Sequence, residues 1–175
     1  MDRIEQTIRL RDEEKQKKVK FKYNLFVALA VAMSLVAVYF LMSLFMILGR
    51  QDIQFSVFDL IPLAVSLVLT FVFLNKKDTL LIEYDYIVED DQFIIAKIKN
   101  LKARKEVVNI PVSAFKRIDN YNPLNFKELE AKKLDCSLND DAEKYVLTYE
   151  RGERCAVVFE PNDALLEMIK KELRK

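Results

Sequence analysis

Five basic side chains within residues 97–105 are the groups whose types and spacing best suit ligand chemistry in this chain. They are Lys97, Lys99, Lys102, Arg104 and Lys105. Clustered ammonium and guanidinium groups bind phosphates and anionic head groups through charge-assisted hydrogen bonds. No acidic residue interrupts the run from position 96 to position 105. The same composition is also typical of the solvated tip of a β-hairpin, so the sequence leaves both interpretations open.

Signatures of catalysis and of cofactor binding are missing from the sequence. The chain has no histidine, the commonest general base and metal ligand, and its two glycines form no glycine-rich phosphate-binding loop. Cys136 and Cys155 lack CxxC spacing and are expected to be buried apolar side chains. We therefore predict no enzymatic activity, no cofactor and no metal.

Two acidic runs, residues 89–92 and residues 139–143, raise the alternative of a metal site. Neither run has the alternating ligands, central glycine and final glutamate of a calcium-binding loop. Both lie between predicted strands, and we expect solvated turns. The near balance of 28 basic and 27 acidic residues gives no indication of nucleic-acid binding.

Two apolar segments predict a membrane protein. Residues 23–49 are uncharged throughout, and this length exceeds the ~20 residues that span the hydrocarbon core of a bilayer. Residues 59–75 form a second, shorter apolar segment, and residues 50–58 would connect the two outside the cell. The charged lead before the first segment and the length of that segment argue against a cleaved signal peptide.

The distribution of positive charge predicts the orientation of this helical hairpin. Residues 1–22 carry eight Lys or Arg and Lys76 and Lys77 follow the second segment, whereas the connecting loop carries only Arg50. Because cytosolic flanks are enriched in positive charge, we expect a multi-pass protein of the cell membrane with both termini in the cytosol. Residues 1–22 also place acids four positions before bases, which predicts a charged cytosolic helix.

The rest of the chain, residues 78–175, changes to the two-residue alternation of β-strands. About seven such strands precede an amphipathic helix that begins after Pro161. In the second of these strands the alternation is interpreted as placing Lys97 and Lys99 outward and Ile98 inward. An antiparallel sheet bent into a small barrel and closed by the C-terminal helix would protect the strand edges and cover the apolar helix face.

Two stretches of this part resemble a known architecture. They are the run Ile110-Pro111-Val112 followed by Phe115 and Ile118, and the closing run VVFEPNDALLEMIKKEL. These are similar to the strand–Pro–strand step and to the last strand and capped helix of pleckstrin-homology-like (PH-like) domains. More particularly, the chain resembles small bacterial membrane proteins in which two transmembrane helices precede a cytosolic PH-like domain. The resemblance covers residues 78–175 and implies a fold but no reaction.

Three functional interpretations follow from this architecture. The first is an interaction module, tethered to the bilayer by two spanning helices, whose edge strands or helix groove bind a protein partner. The second is sensing of anionic lipid head groups by the basic hairpin. A variant of the first is an accessory subunit whose helices pack against another membrane protein through small residues such as Ala28, Ala32 and Ala37. The third, catalysis by residues 78–175, is disfavoured by the missing signatures described above.

Overall fold

The chain is described by a computed structural model over residues 3–49 and 56–174. It divides into a helical unit, Glu14–Leu81, and a second unit that combines the N-terminal segment up to Glu13 with Ile82–Lys175. The predicted external loop at residues 50–58 lies largely outside the described residues. The second unit, called the β-unit below, is therefore built from chain segments on both sides of the helical unit.

The helical unit contains two long helices. α1 spans Glu13–Leu48, and α2 spans Ile61–Asp78 after a short 3-10 turn at Val57–Leu60. Within the described ranges, α1 alone is long and apolar enough to cross a membrane, and an 18-residue window within Glu13–Ile47 reaches a mean hydropathy of 2.6. The second predicted segment also forms a helix, but the 18 residues of α2 include charged residues in its last turn. Its apolar part is shorter than the ~20 residues of a full span.

Aromatic contacts show that α1 and α2 run in opposite directions side by side. Phe26 of α1 stacks on Phe73 of α2 with 6.1 Å between ring centroids. One helical turn earlier in α1, the ring of Tyr23 lies 5.6 Å from the Lys77 ammonium, one turn later in α2. Three small residues are buried along the two helices. These are Ala30, Ala37 and Ser66.

The first sheet of the β-unit has four antiparallel strands in the spatial order β1-β2-β3-β4. Their ranges are β1 Ile4–Ile8, β2 Ile82–Glu89, β3 Gln92–Lys99 and β4 Ala103–Pro111. β1 precedes the helical unit in the chain and β2 follows it, yet the two strands pair from Ile4↔Val88 to Ile8↔Tyr84. This pairing joins the extreme N-terminus to the C-terminal half of the protein.

The second sheet has the spatial order β5-β7-β8-β6, and only the β6–β8 pair is parallel. Its strands are β5 Phe115–Asn120, β6 Lys132–Asp135, β7 Tyr145–Arg151 and β8 Glu153–Phe159. Two helices accompany it, α3 Pro123–Glu128 and α4 Asp163–Glu172. A short 3-10 turn at Val112–Ala114 connects the two sheets.

The main core lies between the facing sides of the two sheets and α4. Phe93 and Phe159 are fully buried and meet edge to face at 5.8 Å, a favoured geometry for aromatic rings. Leu165 and Ile169 of α4 are fully buried in the same cluster. The Asn162 side chain caps α4 by accepting a hydrogen bond of 2.9 Å from the Leu165 N–H. The amphipathic helix predicted after Pro161 is therefore confirmed.

All seven strands predicted in residues 78–175 are present, but the expected closed barrel is not. The described strands number eight and form two separate four-stranded sheets. The eighth strand, β1, comes from residues 1–22, which were predicted to be helical throughout. That prediction is wrong for Ile4–Ile8, and helix begins only at Glu13. Ile4 and Ile8 fall on one face of either a helix or a strand, and the pairing with β2, which decides between them, is remote in sequence.

Candidate functional site

The five predicted basic residues lie on the hairpin of β3 and β4. A three-residue loop, Asn100 to Lys102, joins the strands, with Asn100 and Leu101 at φ 50° and 56°. The Lys102 N–H donates a hydrogen bond of 3.1 Å to the Lys99 carbonyl across the turn. Lys97 and Lys99 lie in β3, Lys102 ends the loop, and Arg104 and Lys105 lie in β4.

Lys97, Lys99 and Lys105 project from the face of the first sheet that covers the core. In β3 they continue the alternation of the buried residues Phe93 and Ile95, and Lys105 pairs directly with Lys97. Lys97 is half-buried, with its ammonium 5.8 Å from the ring centroid of Tyr84. The predicted outward orientation of the two β3 lysines is therefore wrong.

Ile98, expected to face inward, belongs instead to the opposite face of the first sheet, together with its partner Arg104. There the Arg104 Nε lies 3.9 Å from the buried carboxylate of Asp85. Asp85 also accepts a hydrogen bond of 2.7 Å from the Thr7 hydroxyl of β1. Arg104 thus contributes to a contact that spans the sheet and does not converge with the lysines on the other face.

Three exposed lysines of the hairpin remain available to a ligand. The side chains of Lys99, Lys102 and Lys105 form no hydrogen bond or ion pair with another residue in the described ranges. They do not line the groove beside α4 that is described below. The predicted cluster of five is therefore one half-buried lysine, one arginine engaged with Asp85, and three free cations near an open turn.

The register of the first sheet places this turn at the end where the chain connects to the helical unit. Lys99 pairs with Ile82, the first residue of β2, which follows α2 after three residues. The last residue of β1, Ile8, pairs with Tyr84 near the same end. The acidic turn Asp90–Asp91 lies at the opposite end, beyond Glu89. The basic and acidic turns therefore mark opposite ends of the sheet.

A buried polar cluster, which we call the Glu160 network, was not predicted from the sequence. Both oxygens of the buried Glu160 carboxylate accept hydrogen bonds from N–H groups. Oε1 accepts from the backbone N–H groups of Leu138 and Asn139, the second at 2.7 Å, and Oε2 accepts from Asn139 Nδ2 at 2.8 Å. The Tyr86 hydroxyl accepts from the Glu160 N–H at 3.2 Å and donates to the Cys136 carbonyl at 2.8 Å.

The Glu160 network holds the backbone that leads from β1 to α1. Asn139 Oδ1 accepts from the Arg11 N–H at 2.7 Å, and Asn139 Nδ2 donates to the Arg9 carbonyl at 3.1 Å. Gln6 of β1 also donates to the Glu160 carbonyl at 2.9 Å and accepts from the Asn162 N–H at 2.7 Å. The β-unit therefore fixes the chain up to the residues just before α1.

The prediction of a solvated turn at residues 139–143 is confirmed for the acidic side chains but is wrong for Asn139. Asp140, Asp141 and Glu143 are exposed, whereas Asn139 is 1% exposed. In the described residues no group of three or more His, Cys, Asp or Glu side chains is arranged to hold a metal ion. One feature of the sequence indicates the network. Glu160 lies between an apolar strand and Pro161, and a carboxylate buried at such a position needs hydrogen-bond donors.

The two cysteines are free and buried in the main core, as expected. Burial, with a further contribution from neighbouring Asp135, raises the pKa of Cys136 to about 12. Since the thiolate is the reactive form, the Cys136 thiol is unreactive at neutral pH. Its structural role is that of a small apolar side chain.

Buried acidic groups make the β-unit sensitive to alkali. Burial raises the pKa of Tyr84 and of Tyr149 to about 12, from the ordinary 10.0, and also raises that of Tyr86. Burial raises the pKa of the Cys136 thiol in the same way, from an ordinary 9.0. These groups keep their protons in the folded state where the unfolded chain has lost them, so unfolding releases protons. Stability is therefore fully present below pH 9 and falls as the pH rises toward about 12.

We expect the full chain in detergent to lose β-structure cooperatively in this pH range, with tyrosinate absorbance rising in the same transition. A pH titration that follows both circular dichroism and tyrosinate absorbance tests this. Ionisation of all seven tyrosines near the ordinary pKa with unchanged β-structure would contradict it.

A shallow groove lies between the C-terminal end of α4 and the start of β5. It has a volume of about 620 Å³, with an apolar floor that includes Val112, Phe115 and Leu173 and with Lys116 and Glu172 among its polar residues. β5 pairs only with β7 within the described strands, so its other edge is open. An open edge beside an apolar groove is an arrangement that can accept an extended peptide.

Comparison with known proteins identifies the fold. No curated protein and no solved structure matches the chain. A protein family described as Bacterial PH-like domain (DUF6106) matches residues 5–175. The match therefore includes all but the first residue of β1, both helices of the helical unit, both sheets and α4. The eight strands and terminal helix, together with this match over nearly the whole length, show that the chain belongs to this family of bacterial PH-like domains.

Proposed function

We propose that the chain is a PH-like interaction module held at the cell membrane by two crossings, α1 and α2. The pairing of β1 with β2 carries this proposal. β1 precedes the helical unit and β2 follows it, so both flanks belong to one folded unit. A chain with both flanks in one folded unit must cross a bilayer an even number of times. If α1 crosses the bilayer, a second helix must cross it in the opposite direction, and α2 is that helix.

The surface of the helical unit supports a bilayer location. Large apolar side chains are exposed along both helices, including Leu35 and Phe45 of α1 and Val68 and Phe71 of α2. Contiguous apolar surface of this extent is unfavourable in water but suits lipid tails. The short apolar part of α2 is compatible with crossing, because local thinning of the bilayer costs only fractions of a kcal/mol per Å.

Positive charge near the helix ends orients the module. The N-terminal lead is rich in Lys and Arg and the last turn of α2 carries Lys76 and Lys77, whereas the connection at residues 50–58 has one Arg. This asymmetry favours a cytosolic β-unit with both termini in the cytosol.

Labelling in intact cells tests this topology. We expect Gln54→Cys to react with a membrane-impermeant maleimide from outside, and Asp141→Cys in the β-unit to react only after the membrane is opened. The native cysteines are buried and give little background. Labelling of Asp141→Cys from outside, or no labelling of Gln54→Cys, would overturn the two-crossing arrangement.

We propose protein binding, rather than a reaction, as the biochemical role. The open edge of β5 and the adjacent α4 groove support a partner that adds an extended segment. A photo-cross-linking residue at Ser113 in the groove is expected to capture one reproducible partner in cells, and one at exposed Asp141 is not. Capture from Ala32 instead, which is exposed on α1, would indicate an accessory subunit bound through the helices. Capture from neither position would overturn partner binding.

Contact with anionic lipid by the basic hairpin is a second candidate role. The observation that favours it is the register of the first sheet, which places the β3–β4 turn at the end connected to the helical unit. The cytosolic leaflet is anionic and attracts Lys and Arg within about 10 Å of its surface. This role is compatible with a protein partner at the β5 edge, because the two surfaces share no residue.

A further inference from the structure

The turn of the β3–β4 hairpin places a leucine where backbone geometry favours glycine. Both turn residues, Asn100 and Leu101, have positive φ, which is the type I′ arrangement whose preferred sequence is Asn-Gly. Asparagine tolerates this conformation, but a bulky apolar residue there is uncommon and strained. The Leu101 side chain is nevertheless 69% exposed. Packing within the β-unit therefore does not account for leucine at this position.

The β2–β3 turn provides an internal comparison. Asp90 and Asp91 have nearly the same backbone conformation, at φ 50° and 59°. Aspartate is one of the residues that visit this conformation readily, and both side chains are polar, as expected in a solvated turn. Two turns with similar φ angles thus differ in chemistry: one is acidic, and the other has an exposed apolar side chain beside lysines.

The neighbours of Leu101 suit an anionic, partly apolar surface. Lys99 and Lys102 flank the turn, and their ammonium groups have no partner in the described ranges. An apolar side chain flanked by cations suits the boundary between lipid head groups and acyl chains. Amphipathic protein surfaces bind there with the apolar side in the acyl chains and the charges at the head groups. The turn also lies at the end of the sheet where the chain connects to the helical unit.

From these observations we propose that Leu101 inserts into the head-group boundary of an anionic cytosolic leaflet, with Lys99 and Lys102 bound to lipid phosphates. The inference rests on the proposed membrane tether and specifies which residues of the β-unit touch the bilayer. Insertion gives the strained leucine a function, and the tether supplies a high local concentration of lipid.

Tryptophan fluorescence in the full chain tests this contact, because the native chain has no tryptophan. Leu101→Trp and the matched control Asp91→Trp are reconstituted in nanodiscs of zwitterionic lipid with or without anionic lipid. With anionic lipid, Leu101→Trp is expected to shift to the blue. Brominated acyl chains should quench it roughly twofold more than the control, and added salt should weaken the effect. Equal, water-like emission from the two positions would overturn the proposal.

Two further variants separate lipid contact from a structural role. Adding Lys99→Gln and Lys102→Gln to Leu101→Trp should abolish the dependence on anionic lipid, and an unchanged dependence would count against the phosphate contacts. Leu101→Gly should raise the thermal midpoint of the full chain, since glycine adopts positive φ without strain. A lower midpoint would show that Leu101 stabilises the fold, contrary to the inference.

Failure of the tether is distinguishable from failure of the tip contact. If the two-crossing arrangement is wrong, Gln54→Cys is not labelled from outside the cell. If only the tip contact is wrong, that labelling persists while the two tryptophans give the same emission.

Discussion

Residues 82–175 expressed without the N-terminal segment are expected not to form a stable domain. Loss of β1 removes the buried Ile8 side chain and exposes the pairing edge of β2. It also leaves Asn139 without the Arg9 and Arg11 backbone groups that it binds. Burial of one Ile is worth about 2–3 kcal/mol, and each orphaned buried polar group costs about 1–3 kcal/mol. The sum is comparable to the ~5–15 kcal/mol total stability of a small domain.

Joining residues 1–12 to residues 82–175 through a flexible linker should restore folding without the helical unit. A Gly/Ser linker of about eight residues has a mean reach of roughly 16 Å, and Ile8 already pairs beside Tyr84. Dispersed amide NMR spectra and cooperative urea unfolding are expected for the joined chain and not for residues 82–175 alone. A matched control is the joined chain with Ile8→Asp, which places a charge in the core. Cooperative folding of residues 82–175 alone would contradict the role assigned to β1.

Glu160→Gln is expected to lower the stability of the β-unit by about 2 kcal/mol, within the ~1–3 kcal/mol cost of an unsatisfied buried group. Both carboxylate oxygens accept hydrogen bonds, whereas glutamine has one acceptor and one donor at these positions. In either orientation the new NH₂ group meets an N–H donor. Asn139 cannot rotate to compensate without losing the hydrogen bonds to Arg9 and Arg11.

Thermal unfolding of the full chain in detergent measures this loss, with an expected shift of roughly 8–16 °C for a domain of this size. Hydrogen exchange at the Arg11 amide should accelerate in the same variant, because the Asn139 side chain that binds it is displaced. Glu150→Gln is the matched control: Glu150 is exposed and pairs with Lys116 at 3.1 Å, so its loss should change stability by at most about 0.5 kcal/mol. Equal midpoints for the two variants would show that the Glu160 network does not hold the fold.

Local patterns in the sequence were sufficient to predict most elements of the β-unit. The strands from β2 to β8 show short apolar runs or alternation of apolar and polar residues, and α4 shows an apolar stripe after Pro161. These patterns depend only on the period of each element. The same reasoning identified α1 from its length and lack of charge.

What could not be predicted depends on contacts between remote segments. Ile4 and Ile8 share a face in either a helix or a strand, and only pairing with β2 selects the strand. In β3, either of two alternating sets of residues could face the core, and the neighbouring strands select the set with Phe93 and Lys97. The sequence also does not show at which end of the first sheet the basic turn lies, because this depends on the register of the strands.

The Glu160 network illustrates the same limit for polar residues. Asn139 lies in a run of acids that is otherwise solvated, and Glu160 is 21 positions away. Nothing in either local sequence states that the two side chains meet, or that they bind backbone near residue 10. Burial of a charge requires donors that are fixed by the tertiary structure, so the network follows from the fold and not from a motif.

The position of β1 ahead of α1 has a consequence for biosynthesis. β1 leaves the ribosome first, but its partner β2 is made only after both helices, so the sheet cannot be completed until the helical segment has been placed. A chain that inserted with a single crossing would leave β1 and β2 on opposite sides of the bilayer. Its β-unit would stay incomplete. Under the proposed two-crossing arrangement, the β1–β2 pair therefore forms only in molecules whose helical unit has crossed the bilayer twice.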